Sequence, residues 1–277
     1  MDGIFSALFH GSLRHLYRLF TEPEYRRYCW LVTRYGMTSR YRQRTVCIHG
    51  WKLIVPDVAS FLSAYKEIFA EDIYAFPSDN MNPVILDCGA NIGLSILYFK
   101  KRYSQSKIIV YEADPEIFKI LEQNIVGNSI KGIELINKAV WSSDTIVEFN
   151  VEGADGGRIK TGSDINIIRI PAVSLESIFR DRRFDFVKID IEGAEMEALR
   201  GCESHLQNLK NVFVEFHSFA GRKQELGELI GMFERNGFRV HIHPPFIAKR
   251  PFLGIQENYG MDMQLNLFFW KHDNEQA

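Results

Sequence analysis

The chain has 277 residues, of which 46% are apolar, so it can bury a sizeable core in one large domain or two modest ones. Lys and Arg total 33 against 35 Asp and Glu, and the formal charge of -2 excludes an overall field that would recruit nucleic acid. No apolar run is long enough to span a membrane, no signal peptide is recognisable, and four scattered cysteines form no metal or disulfide pattern, which favours a cytoplasmic protein.

Residues 1–80 predict a helical N-terminal extension. Apolar residues recur at helical spacing from Phe5 to Phe20, and a second helical run extends to Gly36. Because basic residues accompany the first apolar stripe, residues 1–36 have three alternative partners. These are the rest of the chain, a second copy in a homo-oligomer, and an anionic membrane surface contacted at its periphery.

A hairpin and a further helix complete this extension. TVCIHGWKLIVP, residues 45–56, contains two β-rich runs around a His-Gly pair, which is typical of a hairpin. The aromatic-rich segment 60–76 predicts a helix. PSDNMNP, residues 77–83, predicts a linker to the second region, residues 81–277.

From residue 84 onward, strand-like and helix-like runs alternate, which is typical of a parallel sheet covered on both faces. The predicted strands are 84–87, 108–112, 133–137, 184–190, 211–216, 238–242 and 264–270. The predicted helices between them are 94–103, 115–128, 174–181, 194–209 and 223–237. The expected fold class is therefore α/β, and ligands of such sheets bind at the carboxyl ends of the strands.

The turn after the first of these strands, in VILDCGANIG, has the features of a cofactor site. A dinucleotide fingerprint that starts at Gly89 needs glycines where this chain has Asn91 and Leu94. The carboxylate of Asp87 would also repel a pyrophosphate. S-adenosylmethionine suits the turn better, because its carboxylate can meet the helix N-terminus while Asp87 holds its ammonium directly or through water. A purely structural turn is the alternative.

The second strand strengthens the cofactor interpretation. IIVYEADP ends in Glu112, which follows Asp87 by 25 residues. The acid that binds both ribose hydroxyls of a nucleotide is expected roughly 20 residues on, at this strand tip. Residues 137–140, which include Asn137 and Ala139, lie at the end of the third strand and would lie beside the adenine by position alone.

Four motifs in order, DCGANIG, YEADP, KIDIEGAE and VEFH, resemble the FkbM-type family of S-adenosylmethionine-dependent methyltransferases. The resemblance covers about residues 57–243. It implies the class I methyltransferase fold, a Rossmann-like and mostly parallel seven-stranded sheet with an antiparallel last strand. It also implies methyl transfer to oxygen, commonly on a sugar or a secondary metabolite.

The resemblance assigns roles to individual positions of this chain. It assigns cofactor binding to Asp87, Gly89, Asn91, Gly93 and Glu112. The family's acidic motifs are matched by Asp190, Glu192, Gly193, Glu195, Glu215 and His217. For Glu192 and Glu195, a capping role in the first turn of a helix is at least as good an interpretation. Lys188 is expected to pair with an acid across the sheet.

An alcohol is a poor nucleophile at neutral pH, so methyl transfer needs its proton removed or its oxygen bound to a metal. Asp190 ends the fourth strand, and Glu215 and His217 share a face at the end of the fifth, so the three are expected to converge as the catalytic site. His217 could be the base. Alternatively, Asp190 and Glu215 could hold Mg²⁺ or Mn²⁺.

The segment 145–173 predicts a hairpin that could close over the acceptor, with Arg158 and Lys160 contacting an anionic group. A surface hairpin is the alternative. The sequence thus predicts an O-methyltransferase that acts on a hydroxyl of a sugar, glycan or glycolipid precursor. The alternatives are a small secondary metabolite as acceptor, a non-catalytic scaffold that binds the cofactor, and a nicotinamide-linked reductase, which Asn91 and Leu94 disfavour.

Overall fold

The computed structural model describes residues 14–150, 158–159, 167–245, 250, 252–254 and 260–271. The chain divides into two compact units, Met1–Ala75 and Phe76–Ala277. Across the described ranges, no helix combines the length and the apolar character that crossing a bilayer requires.

The first unit contains two helices and a two-stranded antiparallel hairpin. The elements are α1 (Pro23–Tyr35), β1 (Arg44–Ile48), β2 (Trp51–Val55) and α2 (Val58–Tyr65), with a π-helical turn at Lys66–Ala70. Helical backbone also extends from residue 14 to residue 21, while the start of the Phe5–Phe20 stripe lies outside the described residues. The predicted hairpin is confirmed. The helix predicted over 60–76 is wrong at its end, because helical structure stops at Ala70.

The predicted hairpin turn is built from left-handed backbone. His49 and Gly50 have φ angles of 51° and 87°, the region that two-residue hairpin turns require. The register then pairs residue 44 with residue 55 and continues to the turn. The inward residues of this hairpin, such as Val46 and Leu53, are fully buried in the core of the first unit.

The second unit is built on a seven-stranded sheet. Its strands are β3 (Val84–Cys88), β4 (Lys107–Tyr111), β5 (Ile133–Ile136), β10 (Phe186–Ile189), β11 (Asn211–Phe219), β12 (Arg239–His243) and β13 (Met261–Trp270). Their spatial order is β12-β13-β11-β10-β3-β4-β5, and β13 runs antiparallel to both of its neighbours. The other pairs are parallel. This confirms the predicted fold class, including the antiparallel last strand.

Six helices accompany this sheet in the described part of the second unit. They are α3 (Leu94–Arg102), α4 (Pro115–Gly127), α5 (Leu175–Asp181), α6 (Glu195–Leu199), α7 (Glu203–Leu206) and α8 (Leu226–Arg235). The single helix predicted over 194–209 is wrong. Gly201 adopts a left-handed φ of 85°, which ends α6 and starts a separate turn of helix. The helix predicted from residue 223 begins at Leu226.

A second, four-stranded sheet occupies the chain between β5 and α5. It contains β6 (Ala139–Trp141), β7 (Thr145–Asn150), β8 (Arg158–Ile159) and β9 (Ile167–Ser174), in the order β6-β9-β7-β8. The antiparallel pair of β7 and β9 is the hairpin expected over 145–173. Strand β6 was not predicted. The side chains of Arg158 and Lys160 lie outside the described residues, so their lid role stays a prediction.

The direction in which successive strands are added to the sheet changes between β3 and β10. Chain connections lead from β3 outward to β5 on one side and from β10 to β11 on the other. Loops that follow neighbouring strands on either side of such a point diverge and leave a crevice at the carboxyl ends of the strands. The candidate site residues lie in or just after the carboxyl-terminal parts of β3, β4, β10 and β11, and therefore lie around this crevice.

Candidate functional site

The glycine turn after β3 is shaped by close packing against the end of β10. Gly89 has a φ angle of 82°, and a Cβ atom there would lie 1.8 Å from the carbonyl oxygen of Asp190. Gly93, with a φ angle of 92°, caps α3, and its Cβ would lie 2.8 Å from the side chain of Leu121. Asn91 between them is also left-handed, at 48°. The turn therefore needs glycine both for its backbone conformation and for space.

Asp87 lies beneath this turn and is fully buried. Its Oδ2 accepts a 2.5 Å hydrogen bond from the Ser95 hydroxyl in α3, and its Oδ1 lies 3.4 Å from the Lys188 ammonium. Lys188 also donates to the Gly89 carbonyl at 2.7 Å and to Asp190 at 3.0 Å. The predicted pairing of Lys188 with an acid is thus confirmed, and one buried cation ties the turn to the end of β10.

Glu112 follows β4 and holds two backbone segments together. Its Oε2 accepts from the Asn91 amide at 2.8 Å, and its Oε1 accepts from the Asp114 amide at 2.9 Å. Burial raises the pKa of Glu112 to about 7, although the two amide donors act in the opposite direction. The Asn137 side chain donates to the Glu112 carbonyl at 2.8 Å and so fixes the backbone of this loop.

A cleft that is open to solvent lies over these loops. Of the seven predicted cofactor residues, four line it: Gly89, Asn91, Glu112 and Ala139. The other three, Asp87, Gly93 and Asn137, lie behind the lining and support it through the contacts given above. Lys138 and Val140, from the segment expected beside the adenine, also line the cleft, as do residues that the sequence did not indicate, namely Tyr111, Ala113, Ile117, Phe149 and Ile191.

His217, near the end of β11, is buried among carboxylates. Its Nδ1 lies 3.0 Å from Oε1 of Glu195, at the start of α6, and that oxygen also accepts from the Gly193 amide at 2.9 Å. The Nε2 atom lies 3.6 Å from Glu192 and 3.8 Å from Glu215. Both distances exceed a hydrogen bond.

Among the described residues, one ligand atom each from Asp190, Glu192 and His217 lie within 4.8 Å of one another. Asp190 and Glu192 also line the cleft. Of the predicted catalytic residues, Asp190 and His217 thus converge, and Glu215 lies beside His217 with its carboxylate hydrogen-bonded by Gln264. For Glu192 the sequence left a role in the family's acidic motif and a helix cap as alternatives; the structure places it before α6 with a left-handed φ of 56°. No sequence pattern encodes that conformation.

Burial and neighbouring charges in this cluster shift the pKa values of two side chains, His217 and Glu192. Burial by itself would lower the pKa of His217, but the charges of Glu195 and Glu192 outweigh burial and raise that pKa well above its usual range. For Glu192, burial raises the pKa well above its usual value; the charge of His217 acts in the opposite direction, and the carboxylates of Asp190 and Glu215 raise the pKa further. The carboxylates of Glu192, Glu195 and Glu215 thus all lie within 3.8 Å of this one imidazole.

The model of the Methyltransferase FkbM domain family matches residues 87–240 of this chain. Methyltransferase sdnD of Sordaria araneosa is 30% identical over 216 residues, which cover 64% of this chain and 81% of that protein. The 31-O-demethyl-FK506 methyltransferase FkbM of Streptomyces tacrolimicus is 24% identical over 221 residues, with 66% and 82% covered. Among solved structures, methyltransferase FkbM from Methylobacillus flagellatus KT has a TM-score of 0.48 and 16% identity, covering 77% of this chain and 52% of that one.

Proposed function

The chain belongs to the FkbM methyltransferase family, and from this premise we propose that it transfers a methyl group from S-adenosylmethionine to a hydroxyl oxygen of a carbohydrate. In this reaction the carbon–sulfur bond of the sulfonium breaks, with its electron pair remaining on sulfur, and a carbon–oxygen bond forms. The acceptor's hydroxyl proton has to leave. The site must therefore bind the cofactor, hold the acceptor oxygen in line with the carbon–sulfur bond that breaks, and contain a group that accepts the proton.

The observation that carries the proposal is the presence, in a single cleft, of Glu112 after β4 and of Asp190 and Glu192 after β10. We assign the two ribose hydroxyls to Glu112, whose carboxylate is already oriented by two backbone amides. The cofactor's methyl group would then point across the sheet, toward Asp190.

Asp87 is assigned a supporting role in cofactor binding. It is fully buried and bonded to Ser95 at the start of α3, so it can reach the cofactor's ammonium only through water or through the turn above it. The cofactor's carboxylate is assigned to the N-terminus of α3, where free backbone amides favour a negative group.

The acceptor is assigned to Asp190, Glu215 and His217. Asp190 lines the cleft itself, and His217 lines an adjoining, separate recess together with Arg222. Carboxylates and an imidazole are suitable partners for the several hydroxyls of a sugar. The Streptomyces relative is named for an O-demethyl compound, which supports oxygen as the accepting atom. A small secondary metabolite is the alternative acceptor.

The cofactor assignment can be tested by calorimetry with S-adenosylhomocysteine. Glu112→Ala is expected to weaken binding by about 1.5–3 kcal/mol, the usual contribution of hydrogen bonds to a charged group. Glu116→Ala is the matched control, because Glu116 lies four residues further on, is exposed, and pairs with Lys119. Unchanged affinity in a folded Glu112→Ala variant would contradict the ribose assignment.

The acceptor class can be tested with labelled S-adenosylmethionine and a panel of sugars, glycolipid precursors and hydroxylated small metabolites. We expect label to appear on a sugar hydroxyl. Label found only on non-sugar metabolites would reject the carbohydrate assignment while leaving methyl transfer intact.

A further inference from the structure

Two carboxylates and one imidazole converge where β10 and β11 end. Ligand atoms of Asp190, Glu192 and His217 lie within 4.8 Å of one another. We propose that these three side chains bind a divalent cation of the Mn²⁺ type, which in turn binds the acceptor's hydroxyl oxygen. This inference rests on the proposed function, because it concerns how the same site activates its acceptor.

The imidazole is already oriented as a metal ligand. The side chain of His217 is 2% exposed, and its Nδ1 is bound by Glu195, which is itself 1% exposed. The Nε2 atom makes no hydrogen bond to any residue in the described ranges and faces Glu192. Metal-bound histidines commonly use one ring nitrogen for a buried carboxylate and the other for the ion. The pair of Glu195 and His217 has that arrangement.

The loop that carries Glu192 has an unfavourable, left-handed backbone conformation. Glu192 has a φ of 56°, and Gly193 follows with a φ of 91°. A Cβ atom at Gly193 would lie 2.4 Å from the ring of Phe219, so this backbone packs directly on β11. Left-handed backbone at a non-glycine residue is unfavourable and persists where surrounding packing imposes it. Here the packing directs a carboxylate toward His217.

The charges around His217 are unbalanced in a way that a cation would correct. Asp190, Glu192 and Glu195 form ion pairs only with His217 and Lys188 among the described residues, and Lys188 is shared with Asp87. Glu195 is buried and the other two carboxylates are partly buried, so negative charge without matching positive charge is costly here. A divalent ion between Asp190 and Glu192 would supply the missing charge.

The donor set indicates the type of ion. Carboxylate oxygens suit hard cations such as Mg²⁺ and Mn²⁺, whereas an imidazole nitrogen favours a transition metal, so Mn²⁺ satisfies both. Ligands of a six-coordinate ion of this size lie about 3 Å apart when adjacent and about 4.3 Å apart when opposite. The ligand atoms of the observed cluster all lie within 4.8 Å of one another, about 0.5 Å above the larger of these two distances.

The remaining coordination positions of the ion would face the cleft that Asp190 and Glu192 line. An acceptor hydroxyl bound there loses its proton more readily, since the cation stabilises the alkoxide. We assign that proton to Glu215, a carboxylate outside the ligand set that lies 3.8 Å from Nε2 of His217, whereas Glu195 is occupied on the other side of the ring. The methyl group then moves from sulfur to oxygen, and the sulfur keeps the bonding electron pair.

Electron paramagnetic resonance of Mn²⁺ titrated into the full chain tests this proposal without cofactor or acceptor. We expect one bound ion per chain, with at least tenfold weaker binding in Glu192→Gln and in Asp190→Asn. His205→Asn and Glu176→Gln are matched controls, because this surface histidine–glutamate pair, at 3.8 Å, lies away from the proposed ligands in the sequence and is more exposed. Neither control should change binding.

Two results would overturn the cation site: no binding by the wild-type chain up to about 1 mM Mn²⁺, the weak end for protein sites, or equal binding by wild type and both ligand variants. Thermal unfolding gives an independent readout, since Mn²⁺ should raise the melting temperature of the wild type but not of folded Asp190→Asn. Binding of S-adenosylhomocysteine, measured separately, shows whether the proposed function fails for another reason.

Discussion

Two histidines of this chain lie beside carboxylates, one in each compact unit, and their surroundings differ. In the first unit, Nε2 of His49 lies 3.1 Å from Oε2 of Glu24, and the Tyr65 hydroxyl donates to the same oxygen at 2.6 Å. The His49 ring stacks on Phe69 at 5.3 Å. This cluster ties α1, the hairpin and α2 together.

In the cluster around His217, by contrast, three carboxylates lie near a single imidazole. Glu195 binds one ring nitrogen, and two further carboxylates, Glu192 and Glu215, lie near the other without reaching hydrogen-bond distance. In the first unit, donors converge on one carboxylate. In the second, several carboxylates converge on one imidazole at the edge of a cleft. A buried histidine with an acidic neighbour is therefore weak evidence of function by itself, whereas an excess of acceptors that face a cleft points to a ligand.

The largest expected difference concerns turnover. His217→Asn should lower the rate of methyl transfer about 10²- to 10⁴-fold, the range expected when a group that activates the acceptor is lost. His49→Asn should leave the rate within a few-fold and lower the stability of its own unit. Initial rates with labelled S-adenosylmethionine, combined with thermal unfolding of both variants, provide the comparison. If both variants were folded and lost turnover equally, the number of carboxylates around each histidine would not indicate which of the two takes part in the reaction.

A second comparison concerns the free energy of unfolding, which we expect to fall on substitution at the first cluster and to rise on substitution at the second. Glu24→Gln weakens the acceptor shared by Tyr65 and His49 and should cost about 1–2 kcal/mol. Glu192→Gln removes one of several carboxylates that crowd an imidazole, so in metal-free buffer it should stabilise the fold by about 1 kcal/mol, as substitutions at functional sites often do. Urea unfolding with a chelator present measures both changes. A loss of stability in both variants would contradict the assignment of excess negative charge to the second cluster.

The sequence was sufficient to predict the sheet and the first hairpin. Strands that are buried on both faces appear in the sequence as apolar runs, and the hairpin turn has a typical residue pair. VIL (84–86) and IIVY (108–111) are continuous apolar runs, and the His49-Gly50 pair marks a turn between β-rich segments. The break between α6 and α7 was missed. AEMEALRGCESHLQNL has good helix formers on both sides, and a single glycine inside such a run is often tolerated.

The site was only partly predictable, for a related reason. Position at strand ends indicated Glu112, Asp190 and His217, since carboxyl ends of neighbouring parallel strands share one edge. The burial of Asp87 under Lys188 and Ser95 depends on how separate elements pack, which no local pattern records. The backbone conformation of Glu192 is likewise imposed by tertiary packing.

Glu112 combines features of both clusters and allows the comparison to be sharpened. Like Glu24, it is held by donors from its own unit, here the amides of Asn91 and Asp114. Like Glu192, it lines the cleft. Its pKa of about 7 places its titration within a range that binding experiments can reach.

The smallest expected effect is therefore a pH dependence of cofactor binding. The ribose hydroxyls donate to the ionised carboxylate of Glu112, so affinity is complete above its pKa of about 7 and declines as the pH falls through that value. Between about pH 8 and about pH 6, the affinity for S-adenosylhomocysteine should fall by up to about tenfold, because the ionised fraction of the carboxylate falls from about 90% to about 10%. Glu112→Gln is the matched control: it cannot ionise, so it should bind more weakly at every pH and show a flatter profile. If the wild-type profile were as flat as that of Glu112→Gln, the carboxylate would not contact the ligand in its ionised form, and Glu112 would resemble Glu24 as a group that serves only to hold its own unit together.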